Sequence, residues 1–310
     1  MNTRMHLNNA TDISSRVNWA DPHFSWQKAY VASVFAALAY EEIPEFELKK
    51  SKRAKIIPSD SYQAHISRWQ SRQVRATIGN IDREFRTITI IRRAVLITIT
   101  QLQDVMFISL RGTTLCYADI MADIDARKAS YSLGYGEKLR FHRGFFEAVI
   151  DCIDEVVEKV QELRIGDTPI YLAGHSLGGA MAAIFLAKLA EGGYHPYFRP
   201  RTYRIPEAVA CYTFGMPRYQ DFNAKAYLPQ PFHIFNELDP VPTLPPTMMG
   251  FVDSPDERCL NAIPELTVLT SKGNMGLRAK QFTAKILSPS DHRMERYLER
   301  TQAMANGVEL

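Results

Sequence analysis

Residues Ile170 to Ala190 read IYLAGHSLGGAMAAIFLAKLA. The opening IYLAG has the pattern of a short strand buried on both faces, and the Ala/Leu-rich run after it has the pattern of a helix that stops at Gly192-Gly193. Between them stands Gly174-His175-Ser176-Leu177-Gly178, an instance of G-x-S-x-G. A pentapeptide this simple also arises by chance, so its surroundings must carry the reading. They supply a strand before it, a helix after it, and small residues (Gly178, Gly179, Ala180, Ala182, Ala183) where the helix must pack on the strand. A sharp strand-to-helix turn would lift the Ser176 hydroxyl above the sheet edge, beside the positive end of the helix dipole. The plainer alternative is a serine that merely caps a helix, and it explains none of that context.

Outward from this stretch the same alternation continues. Residues 144 to 163, GFFEAVIDCIDEVVEKVQEL, place Phe146, Val149, Ile150, Ile153, Val157, Val160 and Leu163 on one stripe opposite acidic residues, which predicts an amphipathic helix. Strands are expected at Ala208 to Gly215 and Phe232 to Asn236, and a run of β-branched strands between Val74 and Gly112. A helix is expected over residues 25 to 40, ended by Glu41-Glu42 and Pro44. Strand, helix and strand in repeated order indicate an α/β fold: a mostly parallel sheet with helices on both faces. No repeat or low-complexity linker divides the 310 residues, so they read as one domain, with 250–288 as an irregular insertion before a C-terminal helix.

A serine hydroxyl needs a base to take its proton and a carboxylate to orient that base. Behind a serine presented this way, the acid and then the histidine follow in the chain. Only three of the eight histidines, His195, His233 and His292, lie beyond Ser176. His233 sits in a strand pattern, and His195 follows the helix at the far end of the sheet from the turn. His292, in SPSDHRMERYL, stands after a loop at the start of a helix and is the candidate base. Asp239 is the candidate acid because it follows FHIFN at a carboxyl strand end, in a loop stiffened by Pro240 and Pro242. Asp221, Asp253 and Asp256 are its rivals. An oxyanion would need two donors. The backbone N–H of Leu177 is one, and Thr113, in the loop after the strand VMFISL, is the candidate for the other.

Composition narrows the classes further. Hydrophobic residues at 46% and charged residues at 23% exclude a disordered or fibrous chain. The longest nearly uncharged run, Ala29 to Tyr40, falls short of the roughly 20 residues that span a bilayer. No signal peptide is visible either, so the expectation is a cytoplasmic protein or one exported without a leader. Cys116, Cys152, Cys211 and Cys259 lack metal-ligand spacing, so no metal is expected, and reduced thiols are the simplest reading of them. The net charge of +3 hides a stretch from Lys49 to Arg93 that carries +9. That stretch reads as a solvated surface or as a face for peripheral contact with an anionic lipid interface; nothing beside it suggests nucleic acid.

The blocks LRGT (110–113), HRGF (142–145), GHSLGGA (174–180), FGMPR (214–218), NELDPVP (236–242) and DHRMERY (291–297) resemble, in order, those of the class 3 (fungal-type) triacylglycerol lipases of the α/β-hydrolase fold. The resemblance runs from about Ala29 to Leu298. It implies a triad of Ser176, Asp239 and His292, an oxyanion hole at Thr113 and Leu177, a short helical lid at 114–126, no cofactor, and hydrolysis of acyl glycerols or related esters through an acyl-enzyme. A phospholipase with the same triad, recruited to anionic membranes, and a catalytically silent lipid-binding protein on this fold are the two alternatives.

Overall fold

The computed structural model describes residues 3–40, 86–92, 95–111, 128–132, 138–190, 207–260 and 289–307. Its centre is β6 (Ile170–His175), whose six residues are all buried. It pairs in parallel with β3 (Met106–Arg111) on one side and β7 (Ala210–Phe214) on the other. The sheet runs β1-β2-β3-β6-β7-β8-β9. β1 (Arg86–Arg92), β2 (Val95–Gln101) and β3 meander antiparallel at one edge, while β8 (Phe232–Asn236) and β9 (Glu257–Leu260) extend the parallel part. A separate antiparallel hairpin joins β4 (Lys128–Ser132) and β5 (Lys138–His142).

The unbroken apolar run of β6 follows from burial on both faces. Successive side chains enter opposite cores: Ile170 and Leu172 join Met106, Ile108 and Cys211, whereas Tyr171 and Ala173 join Phe107, Tyr212 and Phe214. The first core is closed by α3 (Arg143–Leu163) and α4 (Leu177–Ala190). The second is closed by α1 (Thr3–Ser14), α2 (Trp26–Leu38) and α6 (Met294–Ala305). α5 (Phe222–Tyr227) is a single short turn capped by Asp221. α4 is buried all round from Gly178 to Leu189, which is why its sequence lacks a polar face. α2 begins where the Ser25 hydroxyl accepts the Lys28 N–H at 3.1 Å, and it is held to α6 by the Ser33–Thr301 hydroxyl contact at 3.0 Å.

Three features depart from the expectations. The buried stripe of α3 keeps Val149, Ile153, Val157, Val160 and Leu163 of the expected set but leans toward Phe145, Cys152 and Val156, with Phe146 and Ile150 only half-buried. α1 and the β4–β5 hairpin were not anticipated: both are short and polar, and they acquire an apolar side only through what they pack against. Within 250–288, the four residues of β9 form a sheet strand, while 261–288 lie outside the described residues. So do the candidate lid 114–126 and most of the basic stretch. Of that stretch Arg92 is seen on β1, its Nε 2.7 Å from Glu155 on α3. Cys152 and Cys211 are free thiols, and Cys259 Sγ donates to Glu237 Oε2 at 3.0 Å; Cys116 is not among the described residues. Among the described residues no helix is long and apolar enough to cross a membrane.

Candidate active site

Ser176 joins β6 to α4 with φ at +57°, a left-handed conformation that costs a non-glycine residue about 1–3 kcal/mol. The surrounding backbone holds it there. Its N–H donates to the Phe214 carbonyl on β7 at 2.9 Å, and its own carbonyl accepts the Gly179 N–H at 2.9 Å. Gly174 is required by close approach: a Cβ there would lie 2.4 Å from the Gly178 carbonyl oxygen, so strand and helix could not meet in this turn.

Two side chains from far along the chain converge on that serine. His292, in a one-turn helix at Pro289–His292, places Nε2 2.8 Å from Ser176 Oγ and Nδ1 2.8 Å from Asp239 Oδ2. The carboxylate can only accept from Nδ1–H, which leaves Nε2 of a neutral ring free to accept the serine proton. Asp239 is fully buried. Its other oxygen accepts the Val241 N–H at 2.9 Å, and Oδ2 also accepts the Tyr297 hydroxyl of α6 at 2.5 Å. Burial and the adjacent Asp239 charge push the Tyr297 phenol well above its ordinary range, so it stays a donor. The space is tight enough that a Cβ on Gly215 would sit 2.5 Å from Asp239 Oδ2 and 2.7 Å from the Tyr297 hydroxyl.

Further hydrogen bonds hold the backbone around the candidate base, His292. The Asp291 carbonyl accepts from Asn236 Nδ2 at 2.6 Å, and the His292 carbonyl lies 2.7 Å from His175 Nε2. His175 Nδ1 is 3.0 Å from the Tyr40 hydroxyl. Tyr297, Tyr40, His175 and Asn236 were not singled out from sequence. Each is an ordinary residue of a helix, loop or strand until the fold turns it toward the base.

Leu177 is the first residue of α4, so its N–H is among the unpaired donors at the helix start. Thr113 lies outside the described residues. The described part of β3 ends at Arg111, level with His175 on β6, beside the elbow. The rival residues have other partners. His233 takes the Met216 N–H on Nε2 and faces Glu257 through Nδ1, Asp221 caps α5, Asp253 pairs with Arg218, and Asp256 pairs with Arg258. His195 is not described. Among the described residues no group of three or more His, Cys, Asp or Glu could hold a metal ion.

Residues 107–249 match the family model described as lipase (class 3), a span that encloses the elbow and Asp239. The match is confined to that segment, just under half of the chain. The Secreted mono- and diacylglycerol lipase 1 of Fusarium solani is 30% identical over 129 residues, 40% of this chain. The alignment spans only 35% of that relative's length. The crystal structure of a lipase from Rhizopus microsporus var. chinensis matches with a TM-score of 0.50 at 18% identity, covering 76% of this chain and 74% of that one. A mutant form of MDLA from Penicillium cyclopium matches with a TM-score of 0.51 at 20% identity, covering 76% and 80%. At these identities the structural matches speak for the fold alone, the α/β-hydrolase fold.

Proposed function

We propose that this protein hydrolyses carboxylic esters of acyl glycerols through a serine-bound acyl intermediate, as a lipase of the class 3 type. The observation that carries the reading is the unbroken line from Ser176 Oγ through His292 to Asp239, two contacts of 2.8 Å each, mounted on a strained elbow. Ser176 Oγ attacks the acyl carbonyl as His292 Nε2 takes its proton, and buried Asp239 stabilises the imidazolium. The tetrahedral oxyanion is met by the Leu177 N–H at the start of α4 and by Thr113. Collapse expels the alcohol, which takes its proton from His292. Water then attacks the acyl-enzyme by the same route, releasing the acid and restoring Ser176. The family-model match over residues 107–249 and the named activity of the Fusarium solani relative support acyl glycerols as the substrate class.

The test is hydrolysis of p-nitrophenyl esters from acetate to palmitate, and of mono-, di- and triacylglycerol emulsions, by the wild type and Ser176→Ala. Turnover in the wild type and a fall of about 10⁴-fold or more in the variant is the expected result. A purified, folded Ser176→Ala protein that still cleaves these esters would refute the reading.

A further inference from the structure

His175 is a buried imidazole that the reaction as written does not use. Its Nε2 lies 2.7 Å from the His292 backbone carbonyl, which can only accept, so Nε2 carries the hydrogen. Burial, and next the nearby His292, lower the His175 pKa well below the ordinary histidine value, so the ring is neutral and Nδ1 is an acceptor. Nδ1 then takes the Tyr40 hydroxyl at 3.0 Å. The hydrogen bonds therefore run in one direction, from Tyr40 O–H to His175 and from His175 N–H to the carbonyl of the base.

The neighbouring carbonyl is gripped as well. Asn236 Nδ2, at the end of β8, donates to the Asp291 carbonyl at 2.6 Å. Two successive carbonyls of the turn that carries His292 are thus held from the ends of two strands, with β7 between them. The groups facing His175 are Tyr40, with the Arg111 guanidinium 5.9 Å from its ring centroid, His292 with its ring stacked at 4.7 Å, and Tyr297 at 5.6 Å. A neutral ring is the form suited to this place, because His292 becomes a cation in each half of the reaction and a charged His175 would repel it.

We propose that His175, set in one tautomer by Tyr40, is a positioning residue that holds the His292 base in register between Ser176 and Asp239. The inference rests on the catalytic reading above. If His175 served only as packing at the elbow, an apolar ring of similar size would replace it without kinetic cost.

The experiment compares the full-length wild type with His175→Phe, His175→Gln and Tyr40→Phe, with Ser176→Ala as control. It reads kcat, KM and the pH profile on p-nitrophenyl butyrate, the unfolding midpoint, and the low-field proton resonance of the His292–Asp239 hydrogen bond. His175→Phe should lose about 10–100-fold in kcat with KM within about 2-fold, shift the acid limb of the pH profile, and broaden or erase the resonance. His175→Gln, which keeps an N–H donor, should recover kcat to within about 5-fold of wild type, and Tyr40→Phe should fall between them. Wild-type kcat and resonance in His175→Phe would overturn the proposal. So would a His175→Gln variant as impaired as His175→Phe. If His175→Phe does not fold, Tyr40→Phe decides, since wild-type kcat and resonance there remove the tautomer link. If Ser176→Ala hydrolysed the ester like wild type, the serine reading would fail instead, while the resonance, which needs no turnover, would still decide the positioning role.

Discussion

The two sides of the site are built in different ways. The elbow is a local object: Gly174, Ser176 and Gly179 lie within six residues, and the Ser176 N–H is held by the Phe214 carbonyl on the adjacent strand. The candidate base is a distant one: His292 meets partners 53 and 116 residues away in Asp239 and Ser176. Its turn is held by residues 55 and 117 positions away, Asn236 and His175. Strain on one side is absorbed by backbone bonds of the sheet; order on the other is a sum of separate long-range hydrogen bonds. Damage to the elbow should therefore be abrupt, and damage to the base side graded.

The sharpest way to break that contrast is Gly174→Ala. The added methyl meets backbone, not a flexible side chain, so a loss of about 3 kcal/mol or more in urea unfolding is expected, together with loss of ester hydrolysis. A variant with the wild-type denaturation midpoint would show that the elbow can relax. Tyr297→Phe tests the graded side. It removes one donor from a fully buried carboxylate and should cost about 1.5–3 kcal/mol of stability, with kcat lowered about 10-fold and the protein still folded. Complete loss of activity in a folded Tyr297→Phe protein would make the base side as brittle as the elbow.

The smallest effect is on pH dependence. Burial lowers the pKa of both His175 and His6 below the ordinary value of 6.5. Below pH 6.5 the unfolded chain therefore binds protons that the native state refuses, so stability is full above that pH and falls as the solution is acidified toward pH 5. Each histidine contributes a slope of at most about 1.4 kcal/mol per pH unit. Thermal unfolding followed from pH 7.5 to 5 should show the decline, and His175→Gln should flatten part of it. An identical slope in wild type and variant would mean that His175 titrates normally in the native state.

The parts of the fold that were legible in sequence are those whose neighbours are close in sequence or whose burial marks every residue. β6, α4 and α2 read correctly because burial on every side leaves long apolar runs. α1, the β4–β5 hairpin and β9 did not, since each is short and takes its apolar side from the body it packs on. In the candidate site, Ser176 could be proposed from its turn, and Asp239 and His292 from chain order and loop position; the structure brings the three together. Tyr40, Asn236 and Tyr297 leave no mark of that kind, because a phenol or an amide is informative only once a buried partner faces it.

By itself, then, the sequence determined a parallel α/β sheet with a serine at its central elbow, because the run from Ile170 to Ala190 can bury its apolar residues and make its turn in only one way. Tertiary structure decided the rest: which aspartate is fully buried beside which histidine, the tautomer each imidazole adopts, and the hold on the carbonyls of Asp291 and His292. Those properties depend on desolvation and on donors brought from more than fifty residues away, and both exist only after the two cores have closed on the sheet.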